Sequence, residues 1–118
     1  MATLTPTLTL TSAAGDITSD ALAVSVTDTL TVTGDTVSIS RIALSTSDLT
    51  LLTTSYGKSY VYFKNTDSSI VMTIQFGGDS TFTLAAGECA FFPWNGGANI
   101  VALSASGTPL LEYGVWEA

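Results

Sequence analysis

Hydrophobic and polar residues alternate with a period of two along most of this chain, the pattern of half-buried antiparallel strands. In the first segment Leu4, Leu8 and Leu10 share one face, and Thr3, Thr5, Thr7, Thr9 and Thr11 the other. Pro6 cannot donate to a ladder, so the segment is expected to be an edge strand or an extended arm. Ala13 to Asp20 reads as a loop. Leu22, Val24, Val26, Leu30 and Val32 resume the alternation, broken only at Asp28, where Thr27 to Thr29 is expected to bend. Gly34 and Asp35 shift the parity toward Val37 and Ile39, a hairpin signal.

Ala43 to Gly57 is the least regular stretch, with Leu49, Leu51 and Leu52 suggesting a short strand or a helical turn that Ser47 and Asp48 could cap. Beyond it, SYVYFK (Ser59 to Lys64) and IVMTIQF (Ile70 to Phe76) are the clearest strands. Ile70, Met72, Ile74 and Phe76 fall on one face, and Asn65 to Ser68 supply the turn between the two strands. After a turn at Gly77 to Asp79 come Thr81 to Leu84, a tight connection at Ala86 to Glu88, and CAFFPW, Cys89 to Trp94. That last run is apolar throughout, which suits a strand covered on both faces or entering an interface. Asn95 to Gly97 turn the chain again, and Asn99 to Ala105 and Leu110 to Trp116 complete it, with Gly107 to Pro109 between them. About nine short strands at this spacing, with no amphipathic helix, predict an all-β fold. The expectation is an antiparallel two-sheet β-sandwich, jelly-roll-like, comprising an N-terminal arm or edge strand (1–14) and a sandwich domain (15–118).

Composition adds a second theme. Only 11% of residues are charged, where an ordinary domain has about 25%, and serine and threonine fill the polar face instead. The net charge is −7, and the three cations, Arg41, Lys58 and Lys64, form no run, so nucleic acid and anionic membranes are not expected partners. The opening MATLTPTLTL has no basic n-region and no continuous apolar stretch, and no window approaches the ~20 apolar residues of a membrane helix. Synthesis and folding in a cytoplasm are expected.

Candidate chemistry is sparse. The chain has no histidine, so Ser-His-Asp and Cys-His arrangements are ruled out, and the lone Cys89 is expected to be a buried or half-buried strand residue. Asp16, Asp20, Asp35, Asp67, Asp79 and Glu88 fall in turn contexts, whereas Glu112 lies inside the last strand and should face solvent or pair with a cation. Soft-metal sites lack ligands, and although turn aspartates could hold calcium, no D-x-D-x-D loop is present. Gly77-Gly78-Asp79 and Asn95-Gly96-Gly97 lack the lysine of a phosphate loop. Tyr56, Tyr60, Tyr62, Trp94 and Trp116 could form a sugar platform or pack in the core, with Trp94 at a strand end reading as a contact anchor. No catalytic, cofactor-binding or metal-binding residue is assigned.

Sheets with little charge need their edges covered, and neighbouring subunits are the simplest cover. A homo-oligomer or lattice-bound subunit is therefore expected, with Leu4, Pro6, Leu8, Leu10, Phe92, Trp94 and Trp116 as candidate interface residues and the arm adding to another subunit's sheet.

The segments LTPTLTLTS, TSDALAVSVTDTLTV followed by SRIAL, YVYFKNTDSS, FTLAAGECAFFPW and TPLLEYGVW together resemble small virion structural proteins of tailed marine bacteriophages, over nearly the whole chain. The resemblance implies a β-sandwich on the virion, a capsid decoration or cement protein contacting the major capsid protein or other virion proteins. It brings no active-site residues. The alternative is a tail- or fibre-associated adhesion module that binds a host-surface glycan, with exposed coplanar aromatics around Trp94 or Tyr56.

Overall fold

A computed structural model describes residues 2–15, 22–33 and 39–118. Twelve strands are present among them: β1 (Ala2–Leu4), β2 (Thr7–Ser12), β3 (Leu22–Thr27), β4 (Leu30–Val32), β5 (Ile39–Ala43), β6 (Leu49–Leu52), β7 (Ser59–Asn65), β8 (Met72–Phe76), β9 (Asp79–Leu84), β10 (Cys89–Trp94), β11 (Ile100–Ser104) and β12 (Leu110–Glu117). The alternating pattern produces them for a simple reason. In β7, Ser59, Val61, Phe63 and Asn65 are buried while Tyr60, Tyr62 and Lys64 point the other way, as a period of two requires.

Strands β5 to β12 build two antiparallel four-stranded sheets, ordered β10-β7-β12-β5 and β6-β11-β8-β9. Inward side chains of both supply one core. Val61, Phe63, Trp94 and Leu111 come from the first sheet; Leu52, Met72, Ile74, Leu84, Ile100 and Ala102 come from the second, with Leu44 between. Phe92 is the aromatic hub, with ring centroids 5.9 Å from Phe63, 5.8 Å from Phe76 and 5.9 Å from Phe82. Burial of these side chains is the main source of stability, since apolar burial contributes about 25 cal/mol per Å².

The irregular region resolves into β6 followed by a short 3-10 turn, Thr54–Tyr56. Thr53, not Ser47 or Asp48, stands at its N-cap and makes no side-chain cap bond, while Asn99 Oδ1 accepts the Thr54 N–H at 3.1 Å. The Asn65 to Ser68 turn is held by side chains. Asn65, fully buried, donates from Nδ2 to the Ile70 and Leu84 carbonyls at 2.7 and 2.9 Å, and its Oδ1 accepts the Asp67 N–H at 2.9 Å. The Asp67 carboxylate accepts the Ser69 and Ile70 N–H groups at 2.9 and 2.8 Å, which hold it below the usual carboxylate range.

Three expectations for CAFFPW change. The run alternates instead of being covered on both faces: Ala90, Phe92 and Trp94 turn inward, whereas Cys89, Phe91 and Pro93 are exposed. Cys89 is therefore an exposed residue, not a buried one. Trp94, at 4% exposure, belongs to the core and presents no ring to a surface partner, and Phe92 likewise packs between the sheets. All are consequences of one parity, which six apolar residues in a row conceal. Pro93 is tolerated because β10 is an edge strand.

The N-terminal segment pairs with the chain that follows it. β2 aligns antiparallel with β3, with Leu8 opposite Val26 and Leu10 opposite Val24, and β1 aligns with β4. Residues Asp28 and Thr29 separate β3 from β4, where the Asp28 N–H donates to the Pro6 carbonyl at 3.2 Å. The ribbon joins the first sheet through the Thr33 N–H, which donates to the Glu117 carbonyl at 2.8 Å. The radius of gyration is 15.9 Å, against about 13–14 Å for a compact chain of this length. The expected turn at Gly34-Asp35, the start of a strand at Val37, and the turn acids Asp16 and Asp20 lie outside the described residues.

Candidate functional site

The outer face of the β10-β7-β12-β5 sheet gathers most of the chain's unusual side chains. Register places Glu112 opposite both Arg41 and Lys64, so these three share that face. Arg41 Nε donates to Glu112 Oε2 at 3.1 Å, and the Tyr62 hydroxyl donates to Glu112 Oε1 at 2.9 Å. The Tyr62 hydrogen bond, seconded by Arg41, holds the Glu112 carboxyl below its ordinary range. Burial, together with the same carboxylate, pushes the Tyr62 phenol up to about 12. Lys58 Nζ stands 5.5 Å from the Tyr60 ring centroid. All three cations of a −7 chain thus lie on one side of the molecule.

Aromatic groups fill the rest of the face. Tyr60 and Phe91 are stacked, with centroids 6.4 Å apart and planes 15° apart. Trp116 lies over Gly114, where an added Cβ would come within 2.8 Å of the indole Cη2, and its Nε1 is buried with no acceptor among the described residues. Gly114 is therefore the floor on which this ring packs.

The ribbon overhangs this face and leaves a groove of about 620 Å³. Pro6, Leu8, Val26 and Leu30 line one wall; Tyr60, Tyr62, Phe91 and Pro93 line the other. A shallower hollow beside it is bounded by Leu4, Ile39 and Trp116. Leu4, Pro6, Leu8 and Trp116 of the candidate interface residues thus converge here, and Leu10 is exposed farther along the ribbon. Phe92 and Trp94 do not, since they lie in the core. Sequence reasoning overlooked Phe91 because Phe92 beside it is equally apolar, and only the pairing of Phe91 with Tyr62 reveals its side. It also overlooked Ile39, which sits opposite Gly114.

The groove combines aromatic and aliphatic walls with phenol hydroxyls and one carboxylate, Asp28. Among the described residues no three His, Cys, Asp or Glu side chains converge as a metal site. The geometry defines an all-β protein of two antiparallel four-stranded sheets with an overhung aromatic face. No family model, curated protein or solved structure matches the chain.

Proposed function

We propose that this chain is a non-enzymatic structural protein of a tailed-bacteriophage virion, a capsid decoration or cement protein that stabilises the head through β contacts with the major capsid protein. It is made in the host bacterial cytoplasm and resides on the virion. The observation that carries the reading is the strand order of β5 to β12. Successive strands pass from sheet to sheet, except for the β8–β9 hairpin, and the orders β5-β12-β7-β10 and β6-β11-β8-β9 support a jelly-roll reading. Eight-stranded jelly rolls serve as viral shell domains, among other uses. The sequence resemblance to phage virion proteins selects the shell among those uses. The low charge and the exposed apolar ribbon support a protein that functions with its surface covered.

The test is a reconstruction of the virion that carries the chain. Many copies distributed over the head surface are expected; copies confined to one vertex place the chain in the tail, and absence from purified particles refutes the reading. The exposed Phe91 stacked on Tyr60 favours one second reading, a glycan-binding adhesion module. A glycan-array screen of the isolated chain separates the two, with no binding expected for the decoration protein.

A further inference from the structure

We infer that Asn95 is a self-modification site: its side-chain amide cyclises with the Gly96 nitrogen and hydrolyses to aspartyl and isoaspartyl forms, altering the turn that joins β10 to β11. The inference stands apart from the virion reading. It rests on a contrast among the chain's asparagines, Asn65, Asn95 and Asn99. The reaction needs an open main-chain nitrogen, a polarised side-chain carbonyl and an amide free to leave. At Asn95 all three are present. The residue is exposed and lies between strands, and the glycine after it has no Cβ to shield the attacking nitrogen. No hydrogen bond among the described residues engages the Gly96 N–H or Asn95 Nδ2. Asn95 Oδ1 accepts the Gly97 N–H at 2.8 Å, an Asx-turn that folds the side chain back over its own backbone and supplies a donor where the oxyanion forms. Lys58 lines the same hollow as Asn95 and Gly97, so a cation borders the developing negative charge.

The other two asparagines are held against the same reaction. Asn65 is fully buried, its Nδ2 is bound by the Ile70 and Leu84 carbonyls, and the Thr66 N–H that would attack donates instead to the Leu110 carbonyl at 3.3 Å. Asn99 precedes Ile100, a fully buried β-branched residue that crowds the nitrogen, and its Oδ1 is tied to the Thr54 N–H at 3.1 Å.

Water is the only co-reactant. The Gly96 nitrogen bonds to Asn95 Cγ, its proton passes to the leaving nitrogen, the Cγ–Nδ2 bond breaks, and ammonia departs from a five-membered succinimide. Water adding at Cγ then restores the ordinary peptide link with an aspartate side chain. Water adding at the main-chain carbonyl carbon leaves the chain running through Cβ, one methylene longer. Either product adds a negative charge to the −7 chain, but the two differ in fit. An aspartate can still accept the Gly97 N–H. The longer link must displace Gly96, which is seated so closely that a Cβ on it would lie 2.7 Å from the Gly57 backbone. The isoaspartyl form therefore loosens the β10–β11 turn from the turn before β7, next to buried Trp94.

The test incubates the whole purified chain at mildly alkaline pH, folded and in urea, and follows it by ion exchange and peptide mass spectrometry. In the folded chain Asn95 is expected to convert while Asn65 and Asn99 keep their amides, at a rate within about tenfold of its rate in urea. The rate should rise with pH, because the attacking nitrogen must lose its proton. Of the two products separated by ion exchange, the isoaspartyl form should melt below the aspartyl one. Asn95→Ser keeps a hydroxyl to accept the Gly97 N–H, so it should hold the fold by circular dichroism and abolish the charge shift. Asn95 that converts in urea but persists in the folded chain, Asn65 or Asn99 converting as fast, a charge shift that survives in N95S, or two products of equal melting temperature overturns the inference. Virion copy number is a separate measurement, so either idea can fail alone.

Discussion

Asn65 is the residue whose removal should cost most for its size. Its amide is fully buried at the end of β7 and makes three hydrogen bonds: to the Ile70 carbonyl, to the Leu84 carbonyl, and from the Asp67 N–H. It therefore ties the β7–β8 turn to the end of β9. Asn65→Ala removes all three and leaves their partners behind. Each buried partner without a bond costs about 1–3 kcal/mol, but the turn borders solvent, so water can serve Asp67 and Ile70 better than Leu84. A loss of about 3–4 kcal/mol follows, which for a chain of this size lowers the melting temperature by roughly 10–15 °C. Urea titration followed by tryptophan fluorescence measures it, since Trp94 is core-buried and reports the loss of packing. Asn65→Asp sharpens the test. A carboxylate there would face two carbonyl oxygens, so its folded pKa rises above the unfolded value. A raised pKa contributes stability below the unfolded value and loses it as pH rises, so Asn65→Asp should be nearer to wild type in acid than at neutral pH. An alanine variant within about 1 kcal/mol of wild type, or an aspartate variant indifferent to pH, refutes this account of the turn.

Three further outcomes are expected. Gly96→Ala places a Cβ 2.7 Å from the Gly57 backbone at a residue with φ of +76°, which should cost about 2–4 kcal/mol by calorimetry, while Gly78→Ala, with open space around it, should stay within about 0.5 kcal/mol. Gly114→Ala pushes a methyl to 2.8 Å from Trp116 and 2.9 Å from Ile39; the indole should swing off the sheet, changing near-ultraviolet circular dichroism, and an unchanged spectrum counts against the packing described. The Tyr62 phenol is raised to about 12 in the folded chain, above the ordinary 10.0 of a tyrosine, so it contributes stability below the unfolded value and loses it between these limits as pH rises. A spectrophotometric titration should show a late phenol that Tyr62→Phe abolishes.

Strand existence was legible from the sequence wherever one face is apolar and the other is not. The alternation of β7 and the even-numbered Leu8, Leu10, Val24 and Val26 of the ribbon announce their faces because a pleated chain turns every second side chain the same way. The lack of histidine and the scarcity of cations were complete in the sequence too, because chemistry that requires a residue type is decided by composition. Glu112 stood out for the same reason, a charge inside a strand, and it does pair with Arg41.

What the sequence left open depends on partners far along the chain. CAFFPW has no polar residue to mark its parity, so only its alignment with β7 decides that Phe91 is exposed and Trp94 buried. The twelve strands exceed the nine expected in part because the turn near Pro6 divides a run that local pattern joins, whereas the break at Asp28-Thr29 was expected as a bend. The sequence could mark Leu4 to Leu10 as extended, but not that β3 would lie beside it or that the pair would overhang an aromatic sheet face. Periodicity is a property of neighbours in the chain, whereas the groove is made by residues from five strands, and only tertiary packing brings Leu8, Val26, Tyr60 and Phe91 together.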